Sequence, residues 1–194
     1  MSVEICLKSM INFDELKQLM LQKGFKIQED FVVNDIYMIS NGIKLLYKNK
    51  DYILKNNILV RETVGKKIFL IKKIKKYDNN DNVVNERSVK CMINSKQDGY
   101  NFLKNIGYKK IFELIDHNIL FTNGVNEIYI QGISDLGAFV EMEDKNLLLS
   151  GRNGNDINEL LETIKKYELP LDYSNICVKK AELMFNKIFG GNDE

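Results

Sequence analysis

The stretch NILFTNGVNEIYIQGISDLGAFVEMED, residues 118–144, contains three short β-prone runs separated by turn signals. Residues 122–124, Thr-Asn-Gly, join the first two runs, and Asn-Gly between β-prone runs is a strong hairpin signal. Residues 134–137, Ser-Asp-Leu-Gly, lead into the third run. Because strands joined by tight turns pair antiparallel, this stretch predicts the antiparallel sheet that decides the fold.

The remaining strands follow from alternation and from turn chemistry. Val3, Ile5 and Leu7 alternate with polar residues, which predicts a half-buried opening strand. Further strands are predicted at 30–40, on both sides of a hairpin centred on 64–66, over VVNERSVKCMI after the loop DNNDN at 78–82, at 109–122 and at 125–132. Residues 43–55 fit a helix or a strand.

Helices are predicted from caps and from helical spacing. Asn12 stands three residues before Glu15, a capping-box pattern, so we expect a helix over about 12–23 that ends at Gly24. Ser95 opens a second helix that ends at Gly107. The tail predicts two amphipathic helices, whose apolar residues are Ile157, Leu160, Leu161 and Ile164 in one, and Val178, Ala181, Met184, Phe185 and Ile188 in the other.

Together these elements predict an α+β fold. We expect an antiparallel closed or nearly closed β-barrel, a tunnel, with peripheral helices that include a C-terminal helical pair. We expect a single domain over residues 1–194, in which 1–150 form the barrel core and 151–194 form helices packed on it.

Composition excludes several classes of function. The formal net charge is +1, which argues against general nucleic-acid or membrane binding, and no apolar run is long enough to span a membrane. The only histidine is His117, so sites that need two histidines are excluded, and no dinucleotide or P-loop motif occurs. Three widely spaced cysteines and no signal-peptide pattern predict a cytoplasmic protein. Any catalysis would therefore use carboxylates, lysines and arginines, with a divalent metal.

Several strands carry charged residues on one alternating face. Glu4 and Lys8 share a face of the first predicted strand, and Glu141 and Glu143 share a face of the predicted strand AFVEMED, residues 138–144. These faces either meet solvent or converge inside a closed sheet, where mixed charges would suit a polyphosphate and a metal.

Seven motifs in order resemble the CYTH superfamily, the triphosphate tunnel metalloenzymes, which include class IV adenylate cyclases and thiamine triphosphatases. The resemblance runs from Val3 to about Glu143. The motifs are VEICLK, DIYM, ILVRE, IFLIKK, ERSV, NFLKNIGYKKIFEL and ISDLGAFVEME.

The resemblance implies a set of site residues. It assigns metal binding, with Mg²⁺ or Mn²⁺ as the cofactor, to Glu4, Glu141 and Glu143, and phosphate binding to Lys8, Arg61, Lys72 and Arg87. The implied partner is a small molecule with a triphosphate group. The implied activity is hydrolysis of this triphosphate or cyclisation of ATP, and a homodimer is left open.

The sequence departs from the family pattern at positions where a charge is usual. These positions hold Cys6, Leu59, Val89, Asp116, Asn118 and Gln131. The alternative hypothesis is therefore a catalytically degenerate relative that binds a phosphorylated ligand or a protein. Whether the chain is an enzyme stays open at this point.

Overall fold

The computed structural model describes residues 3–77, 83–144 and 156–190. The loop predicted at 78–82 lies outside these residues. The strands are β1 Val3–Ser9, β2 Lys26–Ser40, β3 Ile58–Thr63, β4 Ile68–Tyr77, β5 Val83–Ile93, β6 Tyr108–Thr122, β7 Glu127–Ile133, β8 Gly137–Asp144 and β9 Leu171–Asp172. The α-helices are α1 Phe13–Gln22, α2 Lys50–Asn56, α3 Lys96–Asn105, α4 Asp156–Lys165 and α5 Lys180–Phe189.

The nine strands form one antiparallel sheet in the order β5-β4-β3-β2-β6-β7-β8-β1-β9. The predicted α+β class is confirmed. In the described part of the chain the sheet is not closed by hydrogen bonds, which agrees with the nearly closed form of the prediction. No described helix has the length and apolarity needed to cross a membrane.

Local signals place the first and third helices. The Asn12 side chain accepts from the backbone N–H of Glu15, and the Glu15 carboxylate accepts from the backbone N–H of Asn12, so the capping box is complete. The Ser95 side chain caps α3 by accepting from the backbone N–H of Asp98. The ambiguous stretch 43–55 becomes a 3₁₀ turn at Tyr47–Asn49 followed by α2.

The chain divides into two compact units, residues 1–31 with 116–179 and residues 32–115 with 180–194. In the first unit, one sheet face packs under α1 and α4. Ile5, Leu7, Ile130 and Val140 on this face are at most 1% exposed. This buried face fixes the register of β1, β7 and β8, because a slip of one residue would turn the apolar set to the other face.

In the second unit, α3 packs on one face of β2, β3 and β4. The cluster there contains Met38, Val60 and Leu103, all at most 2% exposed. A Cβ on Gly99 would lie 2.4 Å from the Ile93 side chain and 3.1 Å from that of Val60, so a larger residue at this position would force these side chains to shift. Elsewhere in the unit, α2 contacts β4 and α5.

Candidate functional site

Three carboxylates lie on one face of two paired strands in the first unit. The register of β1 and β8 places Glu4 opposite Glu143 and Cys6 opposite Glu141. Because side chains alternate, these residues lie on the face opposite the buried one described above. Lys8, two residues beyond Cys6, shares this face. We call Glu4, Glu141, Glu143 and Lys8 the carboxylate face.

The carboxylate face joins exposed and half-buried side chains. Glu4 and Lys8 are exposed, whereas Glu141 and Glu143 are half-buried. Directly opposite residues of antiparallel strands have Cα atoms about 4.5–5.5 Å apart, so Glu4 and Glu143 are close neighbours. Among the described residues, no three Asp, Glu, His or Cys side chains are grouped closely enough to hold a metal ion. The donor chemistry nevertheless fits Mg²⁺ or Mn²⁺, because both prefer carboxylate oxygens.

Neutral amides continue the same face on the next two strands. Gln131 lies opposite Phe139 of β8 and opposite Asn118 of β6. The Gln131 Nε2 donates to Asn118 Oδ1 at 3.0 Å, and the Asn118 Nδ2 donates to the Asp116 carbonyl at 2.9 Å. Asp116, Asn118 and Gln131 are all at most 8% exposed. The three positions therefore form a buried polar row in which a hydrogen bond joins the two amides.

A C-terminal segment lines the outer edge of β1. The N–H of Cys6 donates to the Ile176 carbonyl at 2.9 Å, and the N–H of Val178 donates to the Cys6 carbonyl at 3.0 Å. Cys6 is 5% exposed, as expected for a small buried residue, and it lies opposite Cys177. Burial, with a smaller effect of the Glu4 charge, raises the pKa of the Cys177 thiol. Sequence alternation does not predict this segment, because an isolated bridge has no alternating pattern.

Lys8 lies beside an acid from the same segment. The register of β1 and β9 places Lys8 opposite Asp172. Hydrogen bonds from Ser174 lower the pKa of Asp172, and the positive charge of Lys8 acts in the same direction. A phosphate group at this position would therefore compete with the exposed Asp172 carboxylate for the ammonium group of Lys8.

In the second unit, Arg61 forms a two-point ion pair with Asp35. The Arg61 Nε donates to Asp35 Oδ1 at 2.7 Å, and the Nη2 donates to Oδ2 at 2.5 Å. The Asp35 side chain is 4% exposed and the Arg61 side chain 36%. The guanidinium thus meets water on one side and compensates a buried carboxylate on the other.

Lys72 and Arg87 lie on the sheet face opposite Arg61. Arg61 is paired with Phe69, so alternation along β4 places Lys72 on the other face, with Leu70. The Lys72 Nζ donates to the Asn57 carbonyl at 3.2 Å, and burial lowers its pKa. Arg87 lies opposite Ile74 on this same face and is exposed. The structure therefore brings neither of them to the face of Arg61, and their phosphate role stays a prediction.

Two lysines that the motif comparison missed share the face of Arg61. Counting along β4 from Phe69 reaches Lys73, and the partner of Ile71 on β5 is Lys90. Both are exposed. Alternation along β4, counted from the residue that pairs with Arg61, could have identified them. The motif itself ends in two lysines and does not say which of the two lies on the face of Arg61.

The Glu113 carboxylate is held by two lysines. Lys110 Nζ lies 2.7 Å and Lys96 Nζ 3.2 Å from its carboxylate. Burial alone would raise the pKa of Glu113, but hydrogen bonds from Lys110, Lys96 and Asn34 lower it to about 2. We call these four residues the Glu113 cluster, and it ties the start of α3 to the sheet.

His117 has a structural environment. Its Nε2 lies 2.6 Å from Asp30 Oδ1, and its ring packs on Phe13 with centroids 4.8 Å apart. The side chain is 39% exposed. His117 is therefore packed on one side and partly exposed on the other. Arg152 lies outside the described residues.

Comparisons with known proteins match the fold of this chain. No known family profile matches the chain, and no curated protein matches its sequence. Solved structures with the same fold include a conserved hypothetical protein from Pyrococcus furiosus, 16% identical with a TM-score of 0.64, which covers 94% of this chain and 99% of its own. A putative adenylate cyclase from Vibrio parahaemolyticus is 17% identical with a TM-score of 0.58, covering 94% and 97%. A putative adenylyl cyclase from Hippeastrum, described as revealing a dominant triphosphatase activity, is 12% identical with a TM-score of 0.64, covering 97% of both chains.

Proposed function

We propose that this protein binds a small molecule with a triphosphate group together with Mg²⁺ or Mn²⁺, and hydrolyses it. The observation that carries the proposal is the carboxylate face of β1 and β8. Three carboxylates on adjacent positions give the oxygen donors that these cations prefer. A lysine on the same face gives a mobile positive charge for phosphate oxygens.

Each residue of the face has a distinct role in this proposal. Glu4, Glu141 and Glu143 would hold the cation, and Lys8 would bind a terminal phosphate. A bound divalent cation offsets phosphate charge and positions a water molecule for attack on phosphorus. The half-buried Glu141 and Glu143 would contribute most to affinity, because water screens them less than it screens Glu4.

Hydrolysis needs fewer features of the site than cyclisation does. Hydrolysis needs a positioned water molecule, whereas cyclisation of ATP also needs an adenine pocket that orients the ribose. The shared fold with a Hippeastrum protein that is described as a triphosphatase also favours hydrolysis.

The test is a ³¹P NMR time course with tripolyphosphate and ATP, first with Mg²⁺ and then with a low concentration of Mn²⁺. We expect orthophosphate or pyrophosphate to appear with the wild-type protein, and the rate to fall at least tenfold in Glu143→Gln. Glu159→Gln is the matched control, because Glu159 is an exposed residue of α4. Equal product formation in wild type and Glu143→Gln would contradict the assignment of the carboxylate face.

A second candidate is a protein that binds the triphosphate without turnover. The neutral, mutually bonded pair of Asn118 and Gln131 favours it, because the family resemblance implies charges at these positions. In the same spectra, this function would give shifted or broadened substrate lines without products. A Lys8→Gln variant would then weaken binding, whereas Lys166→Gln, a change at another exposed lysine, would leave it unchanged.

A further inference from the structure

Two cysteines of the first unit lie beside each other at the outer edge of β1. Both backbone hydrogen bonds that join Cys6 to the segment 176–178 go to residues that flank Cys177, at 2.9 and 3.0 Å. This pattern is a parallel bridge, which sets Cys177 directly beside Cys6. The Asn175 side chain accepts from the N–H of Cys177 at 3.0 Å. Backbone contacts therefore hold the two residues in register while both thiols are free.

The spacing of the two residues suits a disulfide bond. Paired residues of neighbouring strands have Cα atoms about 4.8 Å apart, and disulfides join Cα atoms about 4.4–6.8 Å apart. Paired residues also share a sheet face, so both thiols belong to the face of Glu4. Burial and, to a smaller extent, the charge of Glu4 raise the pKa of the Cys177 thiol, and the effect of Glu4 agrees with this placement.

The two thiols differ in their access to solvent. Cys177 is exposed, whereas Cys6 is 5% exposed. A reagent from solvent therefore reaches Cys177 first, and Cys6 is held where it can react with the product. Cys91, the third cysteine, is exposed and belongs to β5 of the second unit. An accessible thiol with a second thiol poised beside it is an arrangement found in redox-sensitive proteins.

We propose that Cys6 and Cys177 are a redox pair that a hydroperoxide closes to a disulfide. The Cys177 sulfur attacks a peroxide oxygen, the O–O bond breaks, and an alcohol or water leaves, so that Cys177 becomes a sulfenic acid. The Cys6 sulfur then attacks the Cys177 sulfur, the S–O bond breaks, and the hydroxyl leaves as water with the thiol proton. The two thiols lose two electrons in total, and the peroxide accepts them. Because the pKa of the Cys177 thiol is raised, the first step is slower than at an activated cysteine.

The disulfide fastens the C-terminal segment to β1. It closes a ring from residue 6 to residue 177, which restricts the unfolded chain. The oxidised protein should therefore unfold at a higher urea concentration than the reduced protein. A dithiol reverses the change by thiol–disulfide exchange, so the modification is reversible.

Peptide mapping tests the pair. The Cys91→Ser protein is treated with hydrogen peroxide, its remaining thiols are alkylated, and it is digested with trypsin without reduction. We expect a disulfide that joins peptide 1–8, which contains Cys6, to peptide 167–179, which contains Cys177. The linked protein should run as a single chain on a non-reducing gel, and dithiothreitol should separate the peptides. Two unlinked cysteines, or links formed only between two chains, would overturn the proposal.

Further variants, all with Cys91→Ser, test the order of the steps and the register. With dimedone, which traps sulfenic acids, Cys6→Ser should accumulate the adduct at Cys177, whereas Cys177→Ser should give at least tenfold less adduct at Cys6. Cys177→Ser/Val178→Cys moves the thiol to the opposite sheet face, so the yield of linked peptide should fall at least tenfold. Equal adducts would overturn the order, and an equal yield would overturn the register.

Urea unfolding followed by circular dichroism tests the effect of the bond. The midpoint should be higher for the oxidised Cys91→Ser protein than for the reduced one, and peroxide should leave the midpoint of Cys177→Ser/Cys91→Ser unchanged. Equal midpoints for the oxidised and reduced pair would overturn the fastening of the segment. Spectra recorded without urea separate loss of the link from loss of folding.

Discussion

The ion pair between Arg61 and Asp35 predicts unequal effects of removing its two partners. In Arg61→Met, the Asp35 carboxylate loses both guanidinium hydrogen bonds while it stays 4% exposed. A buried charge without its partner typically costs about 3–5 kcal/mol of folding free energy. We expect the low end of this range, because water already reaches the Arg61 side chain, which is 36% exposed. The free energy of unfolding should therefore fall by about 3 kcal/mol.

The reverse change should cost less. In Asp35→Asn, the amide oxygen still accepts one hydrogen bond, and the guanidinium can be hydrated on its exposed side. We expect a loss of about 1 kcal/mol, the worth of one hydrogen bond. In the double variant Asp35→Leu/Arg61→Met, no charge stays buried, so its stability should exceed that of Arg61→Met alone. The same Asp35→Asn change would also release Arg61, and tighter binding of tripolyphosphate would assign Arg61 to the phosphate site.

Urea unfolding followed by far-ultraviolet circular dichroism measures these differences, since the chain has no tryptophan to report by fluorescence. The denaturant slope of each variant must match that of the wild type for the free energies to be comparable. Equal losses in Arg61→Met and Asp35→Asn would refute the reasoning, because they would mean that the Asp35 carboxylate is as well hydrated as the guanidinium.

Three further predictions concern stability. Hydrogen bonds in the Glu113 cluster overcome the effect of burial and lower the pKa of Glu113 to about 2 from its ordinary value of 4.5. The ionised form of Glu113 therefore stabilises the folded state above pH 4.5. This contribution, about 2–3 kcal/mol after allowance for screening, is lost as pH falls from 4.5 to about 2, and Glu113→Gln should flatten an acid titration of stability in that window. A Cβ on Gly132 would lie 2.8 Å from the Phe13 ring, so Gly132→Ala should lower the free energy of unfolding by about 1–3 kcal/mol, as measured by calorimetry. An unchanged free energy would contradict this prediction, because it would mean that the ring moves aside without cost. Asn12→Ala removes the cap of α1 and should cost about 1 kcal/mol in urea unfolding, whereas Asn12→Ser should cost much less.

Local chemistry explains why much of the fold could be predicted. The capping box at Asn12 and the turn at Gly65 act within four residues, and both occur where the sequence predicts them. Gly65 and Gly124 have positive φ, a conformation in which glycine has no steric penalty. The strand predicted at 30–40 is longer in the structure, where β2 begins at Lys26. Its first five residues are exposed, so this part of the strand has no buried alternating pattern to detect.

The faces of the strands were harder to predict than the strands. The alternation of Ile5 and Leu7 placed Glu4 and Lys8 on one face, and the register of β1 and β8 agrees. In β4 the run IFLIKKIKK has apolar residues at both parities, so alternation alone does not say which lysine joins Arg61. The pairing of Arg61 with Phe69 shows that Lys73 is the lysine on the face of Arg61. The sequence of a single strand does not determine which residues of a neighbouring strand it pairs with.

Burial explains what the unusual residues at the predicted site do. Asn118 and Gln131 are each 5% exposed, and each amide has the other as a hydrogen-bond partner. A charge at only one of these positions would be buried beside a neutral amide, which costs several kcal/mol unless a ligand or a metal compensates it. The neutral pair removes this need for a ligand at Asn118 and Gln131. The carboxylate face, by contrast, keeps Glu4 exposed and Glu141 and Glu143 half-buried, so their charges remain hydrated without a metal. The proposed cation binding therefore uses residues of β1 and β8, where the charges cost the fold least.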